Sequence, residues 1–292
     1  MSGRCQQLTI DVPEELKDAV IGELSELGAD GFWENGEPST SITRLEVYFS
    51  QPIRIEDVES RIRFIFHGSR ISPPTIVIRA VADRDWLGEW KKSYVSFPIG
   101  RGFYIIPSWS ESTCPPDRTP IRIDPGQAFG TGTHETTQLT VECLEDRAGS
   151  EPFSGLIVDL GTGSGILAIA ARLLGCRHVI GCDHDPDSVC VAAENIERNA
   201  DQFVPVFCGS IDAVRSESVD LLLCNLTADV IAQLFSEIRR ALKPGGSVIF
   251  SGILVEQRGQ IRDIVTNGGW VVEDDRTRGE WIALAVRKPY GH

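Results

Sequence analysis

The sequence predicts an α/β protein in two parts: a small antiparallel α+β module, followed by a larger, mostly parallel seven-stranded sheet with helices on both faces. Three observations carry this. From Leu156 onward, short near-continuous apolar runs alternate with amphipathic segments of helical period, the pattern of strands buried on both faces. Leu156 to Leu160 runs directly into Gly161, Gly163 and Gly165, and a helix begins at Ile166, which makes a strand–turn–helix unit able to hold a ligand. Before residue 82 the period is different, with alternating strands and two helices and no glycine-rich turn.

Gln6 to Val12 alternates as a half-buried strand, and Pro13-Glu14-Glu15 opens a helix carrying Leu16, Ala19, Val20, Leu24 and Leu27 on one face before Gly28 stops it. Ala29 to Glu34 and Thr43 to Phe49 read as strands joined by an Asn35-Gly36 turn, Ile55 to Phe66 as a helix and Pro74 to Val81 as a strand. The order β-α-β-β-α-β is that of a ferredoxin-like split βαβ module, and the absence of catalytic residue clusters makes recognition of another macromolecule its expected role. Residues 83–110 hold Trp86, Trp90 and Trp109, with Trp86 and Trp90 one helical turn apart, and are expected to form an aromatic-rich connector.

Glu111 to Pro120 reads as an entrance loop. Three glycines and four threonines crowd Ile123 to Thr137, including Phe129, Gly130, Gly132 and Thr137, before a helix from about Glu135 to Asp146. A loop of this length and composition is expected to be functional. Strands follow at Leu156–Leu160, His178–Asp183, Val204–Gly209, Val219–Asn225 and Ser247–Ser251, with helices at Ile166–Leu174, Pro186–Asn199, Ala228–Leu242 and Glu256–Thr266 and a turn at Lys243-Pro244-Gly245-Gly246. Trp270–Asp275 and Trp281–Arg287 close the chain without a helix between them, so a hairpin is expected, with one edge strand antiparallel. The domain boundaries read from the sequence are therefore 1–82, 83–110 and 111–292.

In such a sheet a ligand lies beyond the carboxyl ends of the strands where the winding reverses. Gly161 and Gly163 fall there after the first strand, Asp183 ends the second, where a carboxylate can take ribose hydroxyls, and Asn225 ends the fourth. A dinucleotide enzyme shares much of this, but its fingerprint is G-x-G-x-x-G facing a pyrophosphate. Here the spacing is G-x-G-x-G and Asp159 stands beside the turn, which suits a cation. S-adenosyl-L-methionine, with an amino group, a sulfonium and no phosphate, fits both carboxylates.

Asp159-Leu160-Gly161-Thr162-Gly163-Ser164-Gly165, the acidic Asp183, Lys243-Pro244-Gly245-Gly246 and the closing hairpin resemble a Rossmann-like class I S-adenosylmethionine-dependent methyltransferase. Asp124-Pro125-Gly-x-Ala128-Phe129-Gly130-Thr131-Gly132-Thr133-His134-x-Thr136-Thr137, with Asp85-Trp86-x-x-x-Trp90-Lys91 and Ile106-Pro107-Ser108-Trp109, is similar to the PrmA family, methyltransferases of the large-subunit ribosomal protein L-eleven. The resemblance runs from about Asp83 to the end. It implies methylation of lysine and N-terminal amines, a substrate-binding role for the first eighty residues, and cofactor contacts at Thr137, Gly161, Asp183 and Asn225. Where the family usually reads Asn-Ile-Leu, this chain has Asn225-Leu226-Thr227. The Asn225 side chain and the Leu226 and Thr227 carbonyls are the candidate oxygen acceptors that orient an amine. The absence of Asn-Pro-Pro-Tyr weighs against adenine or glutamine-amide substrates. Two rivals stay open: a lysine methyltransferase for another protein, of the electron-transfer flavoprotein β-subunit type, and a non-catalytic S-adenosylmethionine-binding protein.

The formal charge of −14 opposes a broad grip on duplex nucleic acid and suits a basic protein partner. No apolar run approaches the ~18 residues of a membrane span, and a cytoplasmic monomer is expected. The eight cysteines show no metal-ligand spacing and read as buried thiols of a reducing compartment, and no metal site is expected. His134 is a candidate base, with a loop-fixing hydrogen bond as the plainer role.

Overall fold

The computed structural model describes residues 5–13, 16–29, 31–35, 42–49, 53–67, 74–81, 94–124, 132–148, 154–199 and 204–290. The chain divides into two compact units, Met1–Ser93 and Tyr94–His292. The Trp86–Trp90 connector expected from the sequence lies outside the described residues.

The first unit contains β1 (Cys5–Pro13), α1 (Lys17–Glu26), β2 (Gly31–Asn35), β3 (Ile42–Phe49), α2 (Ile55–His67) and β4 (Ile76–Val81). Its antiparallel sheet has the order β2-β3-β1-β4, in which α1 and α2 bridge strands that are not neighbours. Because successive strand residues face opposite sides, Leu8, Ile10 and Val12 of β1 and Leu45, Val47 and Phe49 of β3 enter one core with Val20, Leu24, Val58, Ile62 and Phe66 of the helices. The opposite face carries the polar Gln7, Thr9, Asp11, Arg44 and Glu46. Arg44 pairs with Asp11 through two hydrogen bonds of 2.6 and 2.9 Å, and Gln7 donates to Glu46 and Tyr48.

The second unit opens with a three-stranded sheet, β5 (Phe97–Ile99), β6 (Phe103–Pro107) and β7 (Thr119–Ile123), so residues 94–110 belong to this unit and part of the expected entrance loop is strand. Glu145 fastens this sheet by accepting the main-chain N–H groups of Arg101 and Gly102 at 2.8 and 2.7 Å. Glu145 lies on α3 (Glu135–Ala148). Next come β8 (Leu156–Leu160), α4 (Ile166–Leu173), β9 (His178–Asp183), α5 (Pro186–Asn199), β10 (Val206–Cys208), β11 (Val219–Asn225), α6 (Ala228–Ala241), β12 (Leu242–Leu254), α7 (Arg258–Asn267), β13 (Val271–Arg278) and β14 (Trp281–Arg287). The large sheet has the order β10-β9-β8-β11-β12-β14-β13, with β8 between β9 and β11. The winding reverses at β8, and in sheets of this kind ligands bind beyond the carboxyl ends of the strands at that point. Alternate residues feed two cores, Ile157, Leu221, Leu223 and Ile249 on one face and Val158, Leu160, Leu222, Val248 and Phe250 on the other.

One sequence expectation is corrected. The antiparallel strand is not at the edge: β14 inserts between β12 and β13, antiparallel to both, and β13 forms the edge. Composition carried the signal, since the β14 run Trp281-Ile282-Ala283-Leu284-Ala285-Val286 suits an interior position. The charged Glu273, Asp274, Asp275, Arg276 and Arg278 of β13 guard an edge. The expected turn at Lys243–Gly246 lies within β12: Val219 pairs with Leu242 and Leu221 with Ser247, so residues 243–246 loop out, with Gly245 at φ 75°.

Candidate functional site

The turn after β8 has the backbone its glycines permit. Gly161, Gly163 and Gly165 have φ of 72°, 52° and 81°, left-handed values that any other residue would adopt under strain. The N–H groups of Gly161 and Thr162 donate to the Cys182 carbonyl of β9 at 2.9 and 3.0 Å. Two of these glycines also permit close approach. A Cβ on Gly161 would sit 2.6 Å from Leu226 Cδ2, and one on Gly165 would sit 3.2 Å from Ala192 Cα of α5.

Both predicted carboxylates reach this turn. Asp183 accepts the Gly163 N–H on Oδ2 at 2.9 Å and the Asp185 N–H on Oδ1 at 3.1 Å. Asp159 is fully buried, and its Oδ2 accepts from the Thr162 hydroxyl at 2.7 Å and the Ala168 N–H at 3.1 Å. Burial pushes the Asp159 carboxyl up to about 6, against the lowering effect of those two bonds. Thr162 is a site residue that sequence reading missed, although its place three residues after Asp159 was visible.

Asn225 ends β11 beside β8. Leu226 follows, its N–H donating to the Ser251 carbonyl at 3.0 Å, and it packs over Gly161 on one side and Gly252 on the other, where a Cβ would lie 2.5 Å from its carbonyl oxygen. Thr227 is exposed at the start of α6 and its side chain makes no cap bond.

Thr137 is buried in the first turn of α3. Ser251 brings that turn to the end of β12, because its hydroxyl bonds the carbonyls of Thr136 and Ile282, both at 3.2 Å. Ser251 was also missed; a serine inside an apolar strand was the available signal. His134 Nδ1 receives the Thr136 N–H at 3.3 Å and lies 2.8 Å from its hydroxyl, with the ring edge-on to Trp281 at 4.8 Å. These contacts fit the loop-fixing role. Phe129 lies outside the described residues.

Three buried oxygens bear on whether these residues suit a hydrogen-bond-donating ligand. Thr137 Oγ1, Asp159 Oδ1 and Asn225 Oδ1 have no hydrogen-bond partner among the described residues, a costly state that a donor-bearing ligand relieves. Asp159 and Asp183 oppose a phosphate at the same turn. No group of three or more metal-ligating side chains occurs among the described residues, and none of their helices is long and apolar enough to cross a membrane. Cys182 on β9 is no nucleophile: burial pushes its thiol up to about 12.

Comparison with known proteins places the chain in one family. The sequence model described as "Ribosomal protein L11 methyltransferase (PrmA)" matches residues 4–289. A protein of that name from Pelobacter propionicus is 34% identical over 310 residues, covering 99% of each chain, and one from Trichlorobacter lovleyi is 33% identical over 308 residues, again covering 99% of each. The crystal structure of ribosomal protein L11 methylase from Lactobacillus delbrueckii subsp. bulgaricus is similar with a TM-score of 0.61 and 34% identity, over 67% of this chain and all of that one.

Proposed function

The chain belongs to the ribosomal protein L11 methyltransferase family, and on that premise we propose that it transfers methyl groups from S-adenosylmethionine to lysine and N-terminal amines of ribosomal protein L11. The observation that carries the cofactor reading is the set of three unpartnered buried oxygens, on Thr137, Asp159 and Asn225, around a turn flanked by two carboxylates. Asp183 is the ribose acceptor, Asp159 the counter-charge to the amino end, and Gly161 and Gly163 admit the nucleoside to the main chain. Thr137 and Asn225 complete the contacts, and Phe129 is assigned to the same site on the resemblance of its loop.

When bound, S-adenosylmethionine supplies a methyl group on a cationic sulfonium, an electrophile for a neutral amine. A lysine amine, with pKa near 10.4 in water, must first lose a proton, which an apolar site favours. Leu226 provides apolar cover beside the turn. Asn225 Oδ1 and the carbonyls of Leu226 and Thr227 accept from the amine and set its lone pair. Alignment and exclusion of water supply the acceleration in this reading, without a strong base.

Residues 1–82 recognise the substrate, and the unit that begins at Tyr94 holds the cofactor. An acidic chain of net charge −14 suits a basic ribosomal protein in the cytoplasm. The test is methyl transfer from labelled S-adenosylmethionine to purified L11, to total ribosomal protein and to electron-transfer flavoprotein β-subunit. Label on L11 lysines is expected. Absence of label on L11, or preference for the flavoprotein subunit, refutes the assignment.

A further inference from the structure

Asn195, on the face of α5 that carries Ala192, is fully buried with its hydrogen-bonding capacity in use. Its Oδ1 accepts from the Asp124 N–H at 2.8 Å and from Arg198 Nη1 at 3.0 Å. Its Nδ2 donates to the Asp124 carbonyl at 3.1 Å and to the Ser164 carbonyl at 2.9 Å. One helical turn later Asn199 handles Arg122 in the same way, accepting its N–H at 2.6 Å and donating to its carbonyl at 2.5 Å.

The reason for the pair lies in β7. Thr119 donates to Gly102 and Ile123 accepts from Ser108, on the side of β6. The alternate residues Pro120, Arg122 and Asp124 therefore turn their main-chain groups to the free edge of the sheet. Pro120 has no N–H to satisfy, and the two asparagines take the other two residues, standing in for a neighbouring strand. Covering an edge, with one further bond back to its own helix at the Asn195 carbonyl, 2.6 Å away, accounts for Asn199. It does not account for the second donor bond of Asn195, which leaves the edge and ends on the glycine turn, between Gly163, held by Asp183, and Gly165, packed on Ala192.

We propose that Asn195 is a positioning residue for cofactor binding: by tying Asp124 to Ser164 it makes the glycine turn and the point where the chain enters residues 125–131 one mechanical unit. Cofactor affinity thereby depends on how that entry point is seated, and a cofactor that orders the turn also orders Asp124. The inference rests on the reading of the turn as an S-adenosylmethionine site.

The test compares Asn195→Leu with Asn199→Leu in the full chain, since leucine keeps the size and removes all polar capacity. Both variants lose edge bonds and lower Tm. Asn195→Leu also weakens S-adenosylmethionine about tenfold or more by calorimetry, the effect of freeing a buried carbonyl in the turn, whereas Asn199→Leu stays within about twofold. Equal affinities in two folded variants overturn the proposal. Should Asn195→Leu not fold, amide exchange in the unaltered protein decides: saturating S-adenosylmethionine slows exchange at Asp124 along with the glycine turn and leaves Arg122 unchanged. Protection of the turn without any change at Asp124 overturns it. If the unaltered protein binds no S-adenosylmethionine, the site reading itself fails, an outcome distinct from either.

Discussion

The carboxylate of Asp183 holds the turn that it faces, its Oδ2 accepting the N–H of Gly163 at 2.9 Å. Its replacement therefore has two consequences, loss of the ribose acceptor and release of the turn. Asp183→Ala is expected to abolish measurable S-adenosylmethionine binding in calorimetry, a loss of about 3 kcal/mol or more for a charged hydrogen-bonding group. Asp183→Asn keeps an oxygen for Gly163 and should lie between. Unchanged affinity in Asp183→Ala would remove it from the site.

Asp159 sets a pH dependence of definite sign. Its carboxyl rises from 3.8 to about 6 on folding, because burial disfavours the charge. The folded chain thus holds this proton more tightly than the unfolded one. The resulting stabilisation is complete below pH about 4 and is lost as pH rises to about 6, some 3 kcal/mol in all. A cationic ligand prefers the ionised form, so S-adenosylmethionine affinity should climb between pH 5 and 7, about a midpoint near 6. Asp159→Asn should flatten both profiles and weaken binding. A native protein whose affinity is flat across this range would contradict the counter-charge role.

Asn225 offers a contrast between stability and activity. Its buried Oδ1 is without a partner among the described residues, so truncation gives up no hydrogen bond there. Asn225→Ala should leave Tm within a few degrees or raise it, while kcat falls roughly 10- to 100-fold for want of an oriented acceptor. A large loss of Tm with kcat preserved would make Asn225 structural.

Gly161 and Leu226 form a pair whose coupling can be measured. Gly161→Ala places a Cβ 2.6 Å from Leu226 Cδ2 and forces φ of 72° on an alanine. The backbone part costs about 1–2 kcal/mol and persists whatever stands at 226. Leu226→Ala in the same chain should recover only the collision part, read as a non-zero coupling energy in thermal unfolding. Strict additivity would show that the two residues do not touch.

Removal of the first unit separates recognition from cofactor binding. Residues 94–292 contain both large hydrophobic clusters and every described site residue. A chain starting at Tyr94 should bind S-adenosylmethionine with native affinity and lose methyl transfer to L11. Full activity in that truncation would contradict the substrate-recognition role of the first unit.

Much of this protein follows from patterns a few residues long. The change from alternating strands before residue 82 to continuous apolar strands after 156 announced the larger sheet. G-x-G-x-G with Asp159 and Asp183 placed the turn, because left-handed backbone needs glycine and two carboxylates repel a phosphate. Tertiary structure alone decided what meets across the sheet. It inserted β14 inside the edge strand β13, laid Leu226 over Gly161, joined Thr136 of α3 to Ser251 of β12, and linked Asn195 both to Asp124 and to Ser164. The physical reason is that secondary structure answers to a period of two or 3.6 residues, which the chain carries locally. Contacts between distant residues answer to strand order, and strand order is settled by which arrangement buries every apolar face and leaves each main-chain edge group a partner.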